Sequence, residues 1–440
     1  MPLFSFKPFL AALATAALLT ACGGSSKTAP PPVGGLIATP GEGGVTLTWT
    51  AASGVEYWAY TAPAATICKN CGANDWKAIT GAMSRGLSNA PISSPYFFNG
   101  LTNDTQYAFI MDGRINGGPG GDATPSVATT PRLAGGTWQS GGALGSGNVV
   151  GMAFGATLNP STNVYATTGT YLALGANGAK YKSADGLTWS AISGTDTTNW
   201  RATVYGMTKF IGVGDAGAIT YSTDLNTWTA ATSGVTQHLN AVATSGALIV
   251  AVGNNGTILR STDAINWTAA TSNPSSANLY GVGYTVNGLW VAVGATGTLL
   301  TSSDGATWTA ATTGTTADLK SVASMSSLVT TNNVTSTVYA SVVVGQNGTV
   351  LQSPDSLTWT AQSLGTSANL NAVVASVGLL PSNQLMIAGD GGRAYTSTDG
   401  VTWTARTTNT SQNLVSLFRG TSPQTRYVAL GANGTTVYTQ

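Results

Sequence analysis

Ser222-Thr223-Asp224-Leu225-Asn226-Thr227-Trp228 is the stretch that decides the fold, because its pattern returns along the second half of the chain. Ser-x-Asp-x-x-(Thr/Asn)-Trp occurs at Ser183 to Trp189, Ser222 to Trp228, Ser261 to Trp267, Ser302 to Trp308, Ser353 to Trp359 and Ser397 to Trp403. The tryptophans lie 39, 39, 41, 51 and 44 positions apart. A Gly-x-x-Gly pair precedes each copy: Gly175/Gly178, Gly214/Gly217, Gly253/Gly256, Gly294/Gly297, Gly345/Gly348 and Gly389/Gly392. A seventh pair, Gly431/Gly434, has no copy after it, and Gly136-Thr137-Trp138-Gln139 supplies an orphan Thr-Trp at the start of the region. A period near 40 predicts one four-stranded sheet per repeat. The N-terminal strand at Trp138 is expected to complete the last sheet and close the ring, hiding edges that an open array would expose.

This repeat resembles the Asp-box, or BNR, repeat of sialidases and of the photosystem II stability and assembly factors. The resemblance implies an all-β chain with a seven-bladed β-propeller over residues 136–440. It also implies that Asp185, Asp224, Asp263, Asp304, Asp355 and Asp399 form hairpin turns, with Ser and Asp side chains accepting from turn N–H groups and each Trp packing on its blade. The assembly factors are said to engage their partner through an arginine-rich patch. Here Arg201, Arg260, Arg393, Arg406, Arg419 and Arg426 are spread over several repeats, so that role does not carry over.

Composition agrees with short strands and turns. Charged residues are 8% of 440, Gly numbers 56, and the net charge is +1. There is no basic block, so nucleic-acid binding is excluded. Residues 1–21 read as an export signal, with Lys7 before an apolar run from Phe9 to Leu19. Leu19-Thr20-Ala21-Cys22 resembles the bacterial lipobox, which implies acylation of Cys22 and a membrane anchor. Gly23 after it favours outer-membrane delivery, facing the periplasm or the outside. Residues 22–33 read as the acylated Cys and a tether. Cys68 and Cys71 are read as a local disulfide outside the cytoplasm, with a redox-active pair as the alternative.

Residues 34–131 resemble a fibronectin type III β-sandwich. Gly35 to Pro40 is its first strand, Val45-Thr46-Leu47-Thr48-Trp49 alternates and ends on a core Trp, and Tyr107 takes the place of the corner tyrosine. The segment from Cys68 to Trp76 departs from that pattern.

The innermost strands also align. Their third positions are Val150, Arg201, Asn240, Tyr280, Lys320, Asn371 and Val415, and the fourth is always Gly, Ala or Ser. The first position, Asn in five repeats with His238 and Asp318 in the others, is a candidate for satisfying loop backbone. Variation confined to the third position points to a recognition surface at the channel mouth. The candidate ligand-binding residues are Trp200, Arg201, His238, Asn240, Tyr280, Lys320 and Asn371.

Catalysis finds little support. No Glu follows Glu56, so the Tyr–Glu pair of sialidases and a two-Glu glycosidase pair are both missing. His238 is the one histidine, and no G-x-S-x-G motif accompanies it. The acids outside the Asp turns (Asp196, Asp215, Asp318, Asp390) come from different repeats, so no metal or cofactor is expected. The expectation is a non-catalytic envelope lipoprotein that binds a protein or polysaccharide. The alternative is a polysaccharide lyase or hydrolase with an unrecognised site.

Overall fold

The computed structural model describes residues 29–66, 83–85, 91–116, 120–121, 123–132, 135–145, 149–331, 334–376, 383–420 and 426–439. Cys22, Cys68 and Cys71 lie outside them, as do the export signal and most of the tether.

The N-terminal module holds β1 (Val33–Gly41), β2 (Gly44–Thr50), β3 (Glu56–Pro63), β4 (Met83–Arg85), β5 (Tyr96–Asn99), β6 (Tyr107–Arg114) and β7 (Val127–Thr129). They form two sheets, ordered β1-β2-β5 and β4-β3-β6-β7. One core joins Val45, Leu47 and Trp49 of the first sheet to Tyr57, Ala59, Phe109 and Met111 of the second. Trp49 and Tyr57 meet edge to face across it at 6.0 Å, a geometry favoured by the ring quadrupoles.

From β8 (Trp138–Ser140) onward, the described residues contain seven four-stranded antiparallel sheets. The first comprises β9 (Val149–Asn159), β10 (Val164–Gly175), β11 (Lys180–Ser183) and β12 (Ser190–Ala191). The innermost strands of the others are Trp200–Gly206, Leu239–Thr244, Leu279–Tyr284, Leu319–Thr331, Leu370–Ala375 and Leu414–Gly420. Each innermost strand packs on the next, and the last packs on β9.

The second strand of each sheet shows why the sheets stack. Ile249-Val250-Ala251-Val252 is apolar throughout rather than alternating, and all four residues are fully buried. Successive side chains point to opposite faces of a strand. Ile249 and Ala251 therefore face the preceding sheet, beside Ile211 and Val213. Val250 and Val252 face the following one, beside Leu279 and Ala292. Burying such a side chain contributes about 1.5–3 kcal/mol, and the pattern recurs in each gap between neighbouring sheets. The gap between the last sheet and the first is filled the same way, by Val428 and Leu430 against Val149 and Met152.

Ring closure rests on β8. Its residues pair antiparallel with the C-terminal strand Thr436–Thr439, Trp138 opposite Thr439. Trp138 is 1% exposed among Ala388, Ala394 and Val437, and its indole N–H donates to the Gly135 carbonyl at 3.2 Å. The module meets the same sheet through Arg419 of its innermost strand, which pairs with Glu42 at 3.5 Å.

Six Ser-Asp turns cap the sheets. Ser222 Oγ donates to Asp224 Oδ1 at 3.1 Å and accepts the N–H groups of Asp224 and Leu225. Asp224 Oδ1 accepts those of Asn226 and Thr227 at 2.9 and 2.8 Å. The carboxylates of Asp185, Asp263, Asp304, Asp355 and Asp399 likewise accept from the two N–H groups that follow in their own turns.

Replacing Trp138 by Ala removes a large buried side chain from the closing seam. The expected loss is about 3–5 kcal/mol, read as a lower urea midpoint and as new proteolysis near the C-terminal strand. An unchanged midpoint would show that the seam does not carry stability.

Candidate functional site

The site begins with one irregularity repeated seven times. In each sheet the ladder between the innermost strand and its neighbour slips by one residue near its start. Trp200 pairs with Gly214 and Ala202 with Val213, so Arg201 is left without a partner. The same slip isolates Val150, Asn240, Tyr280, Lys320, Asn371 and Val415. A β-bulge bends the strand and re-aims the extra side chain. All seven extra residues line one cavity of about 260 Å³ at the end of the channel.

A polar arc runs round part of this mouth. Arg201 pairs with Asp215 and donates from Nη1 to Asn240 Oδ1 at 3.3 Å. Asn240 Nδ2 donates to Asn254 Oδ1 and to the Leu279 carbonyl, both at 2.8 Å. The Lys320 ammonium lies 3.8 Å from the Tyr280 ring centroid and 3.5 Å from Asp318. Asn371 Nδ2 donates to Asp390 at 2.8 Å and to Leu414 O at 2.9 Å. Val150 and Val415 make the apolar remainder, and Val415 is 36% exposed.

The acids of the arc are occupied by protein donors. Asp215 accepts from Arg201 and from Asn199 at 3.1 Å, and Asp390 from Asn369 and Asn371. Partial burial alone would raise the Asp215 carboxyl, but the Arg201 and Asn199 hydrogen bonds hold it below its usual value. Arg201, by contrast, is 42% exposed. The mouth therefore presents an exposed guanidinium, an ammonium and amide groups beside an aromatic ring, chemistry suited to hydrogen-bonding a polar ligand.

Five of the seven candidates (Arg201, Asn240, Tyr280, Lys320 and Asn371) come together here; two stand elsewhere. Trp200 is 5% exposed in the gap between the first two sheets. Its indole N–H donates to Asp196 Oδ2 at 2.7 Å, and that carboxylate also pairs with Lys180. His238 clamps the preceding glycine turn, its Nδ1 accepting from Ala216 N–H at 3.2 Å. Asp215 lies 3.1 Å from the same nitrogen.

The clamp is general. Asn199, Asn278, Asp318, Asn369 and Asn413 accept in the same way from Asn177, Asn255, Thr296, Asn347 and Gly391. Among the described residues, the first position therefore ties a repeat to the turn of the one before in six cases; Asn148 lies outside them. The second glycine of that turn takes φ near +70° throughout, and at Gly217 a Cβ would also lie 2.1 Å from the Val235 carbonyl oxygen.

Sequence reasoning missed the bulges and the acids paired to them. A signal existed for Asp215 and Asp390, which both follow the first glycine of a pair. The six Asp turns do not contribute to the mouth cavity. Among the described residues, no three His, Cys, Asp or Glu are grouped to hold a metal ion.

No protein-family sequence model matches the chain, and no curated protein matches it. Solved structures do. A structure described as YCF48 bound to D1 peptide has a TM-score of 0.51 at 17% identity, covering 71% of this chain and 99% of that one. YCF48 from Cyanidioschyzon merolae gives 0.50 at 16%, covering 69% and 98%. A streptogramin B lyase gives 0.54 at 7% identity, covering 69% and 97%. These likenesses show the fold, an all-β propeller.

Burial would raise the Asp196 carboxyl, but Lys180 and the Thr198 and Trp200 donors hold it at about 2. An unfolded Asp titrates near ~3.9. Its contribution to stability is thus present above about pH 4 and is lost as pH falls toward 2. The urea midpoint should drop across that window. Asp196→Asn should be less stable at pH 7, with the buried Lys180 unpaired, and should show a shallower drop. Parallel profiles for the two proteins would contradict this assignment.

Proposed function

We propose that this chain is a non-catalytic binding lipoprotein of the cell envelope. In this reading a fibronectin type III-like module and a seven-bladed Asp-box propeller are carried on an acylated Cys22 at the outer membrane. A segment of a protein partner enters the bulge-lined mouth. The observation that carries the reading is the convergence of Arg201, Asn240, Tyr280, Lys320 and Asn371 from five successive innermost strands on one cavity. Seven closing sheets and the order β1-β2-β5 against β4-β3-β6-β7 support the two domain assignments. The Ser-Asp turns support a structural role for their acids.

A peptide is the first ligand to consider, for two reasons. The exposed Arg201 guanidinium and the Lys320 ammonium match the carbonyl groups of a peptide backbone. A propeller of similar fold has been solved with a peptide bound. Asp215 and Asp390 accept from amide and guanidinium donors, which supports an orienting role for them in the non-catalytic reading.

Crosslinking in intact cells followed by capture of the chain tests this reading. Arg201→Ala and Lys320→Ala, each with an unchanged circular dichroism spectrum, should lower recovery of a specific partner at least about tenfold, or ~1.4 kcal/mol. Equal recovery by both variants would remove the mouth as the binding site. Turnover of the captured partner by the unmodified chain would overturn the non-catalytic reading.

A further inference from the structure

A second cavity, of about 820 Å³, lies away from the mouth. It sits where the hairpin of β9 and β10 extends past the rest of its sheet. Pairing continues to Val164 opposite Asn159, whereas the corresponding hairpin of the next sheet turns between Gly206 and Lys209. The extension is fixed to that next sheet. Leu158 N–H donates to Thr223 O at 2.7 Å, Tyr205 OH to Ala156 O at 3.1 Å and Tyr165 OH to Thr208 O at 3.4 Å. The space between this arm and the first two Ser-Asp turns is consequently preformed, and its volume falls in the range of small-ligand sites, roughly 300–1,000 Å³.

Its lining has a definite chemistry. Tyr165 and Trp189 supply aromatic surface. Trp189 is oriented by Tyr171, edge-on with centroids 6.3 Å apart. Around them stand neutral amide and hydroxyl groups, including Asn159, Thr188, Ser190 and Asn226. Lys182 and Asp224 are the charged residues of the lining and cancel. A phosphorylated or carboxylated ligand would need a cationic surplus that is absent. A sugar ring has what the walls can use: an apolar C–H face for an aromatic ring and a rim of hydroxyls for amides and hydroxyls.

We propose that this cavity is a binding site for a neutral oligosaccharide, independent of the mouth. The hairpin arm forms one wall, the Ser183–Trp189 turn and the Asp224–Asn226 segment the other, and two or three sugar units fill it. The chain would then hold a glycan at its flank while its mouth engages another partner.

The full chain, probed on an array of neutral and anionic oligosaccharides and extended peptides, provides the test. Retention of neutral glycans is expected. Tyr165→Ala, which removes an aromatic wall, and Asn226→Trp, which fills the cavity from an exposed position, should each weaken retention at least about tenfold. Arg201→Ala should leave it unchanged, which separates this site from the mouth. Failure to retain any neutral glycan, retention confined to peptides or anionic sugars, or indifference to both cavity variants would overturn the proposal.

Discussion

The innermost strands approach one another so closely that only small side chains fit between them. A Cβ added at Gly281 would stand 2.5 Å from the Lys320 carbonyl oxygen of the next sheet. Gly, Ala or Ser at every fourth position meets this constraint. The residue before it escapes by bulging. A regular ladder would fix its side chain on one face of the sheet, in a packed gap. The extra residue lets the strand keep its apolar register while one side chain per sheet turns into the open end of the channel. Packing and recognition are thereby separated by a single position. Asn240, Tyr280 and Lys320 occupy it without disturbing Leu239, Leu279 or Leu319 beside them, all fully buried.

The same separation governs the acids. Six carboxylates in one motif invite a catalytic reading, yet each is spent within its own turn. Backbone N–H groups of Thr358 and Leu357 hold the Asp355 carboxyl down to about 2, and Asp263 lies well below its usual value for the same reason. Such a group accepts hydrogen bonds from the backbone and has no proton to give near neutral pH. The acids near the mouth are occupied differently, by side-chain donors that orient the recognition groups. Glu42 belongs to neither set: burial pushes its carboxyl up while the Arg419 charge opposes that shift, at the seam between the N-terminal module and the last sheet.

The sequence carried the all-β character and the propeller likeness, because tryptophans and glycine pairs recur where the backbone demands them. It also carried the alignment of the third positions, since variation among fixed neighbours is a sign that the backbone does not constrain the side chain. It did not carry the reason. A bulge leaves no mark in the residue types, as nothing in Trp200-Arg201-Ala202 shows which residue loses its partner. Trp200 was drawn into the candidate site by adjacency to Arg201, but alternation along the strand sends it into the gap, onto Asp196. His238 belongs to the first positions expected to satisfy loop backbone, and it does for Ala216 what Asn278 does for Asn255 rather than joining the mouth. The flank cavity was invisible for another reason: Thr157 to Thr170 interrupts the repeat, and most of the other sheets have no matching segment to align with it.

The account turns on the mouth being the surface that meets a protein partner, rather than the Ser-Asp turns of the later sheets at the other end. A photo-crosslinking amino acid at Val415, on a bulge, and at Leu357 and Val401, exposed on Ser-Asp turns at 54% and 52%, would test it in intact cells. Crosslinked product at position 415, with little at 357 or 401, is the predicted result. Equal or greater crosslinking from the turn positions would contradict it.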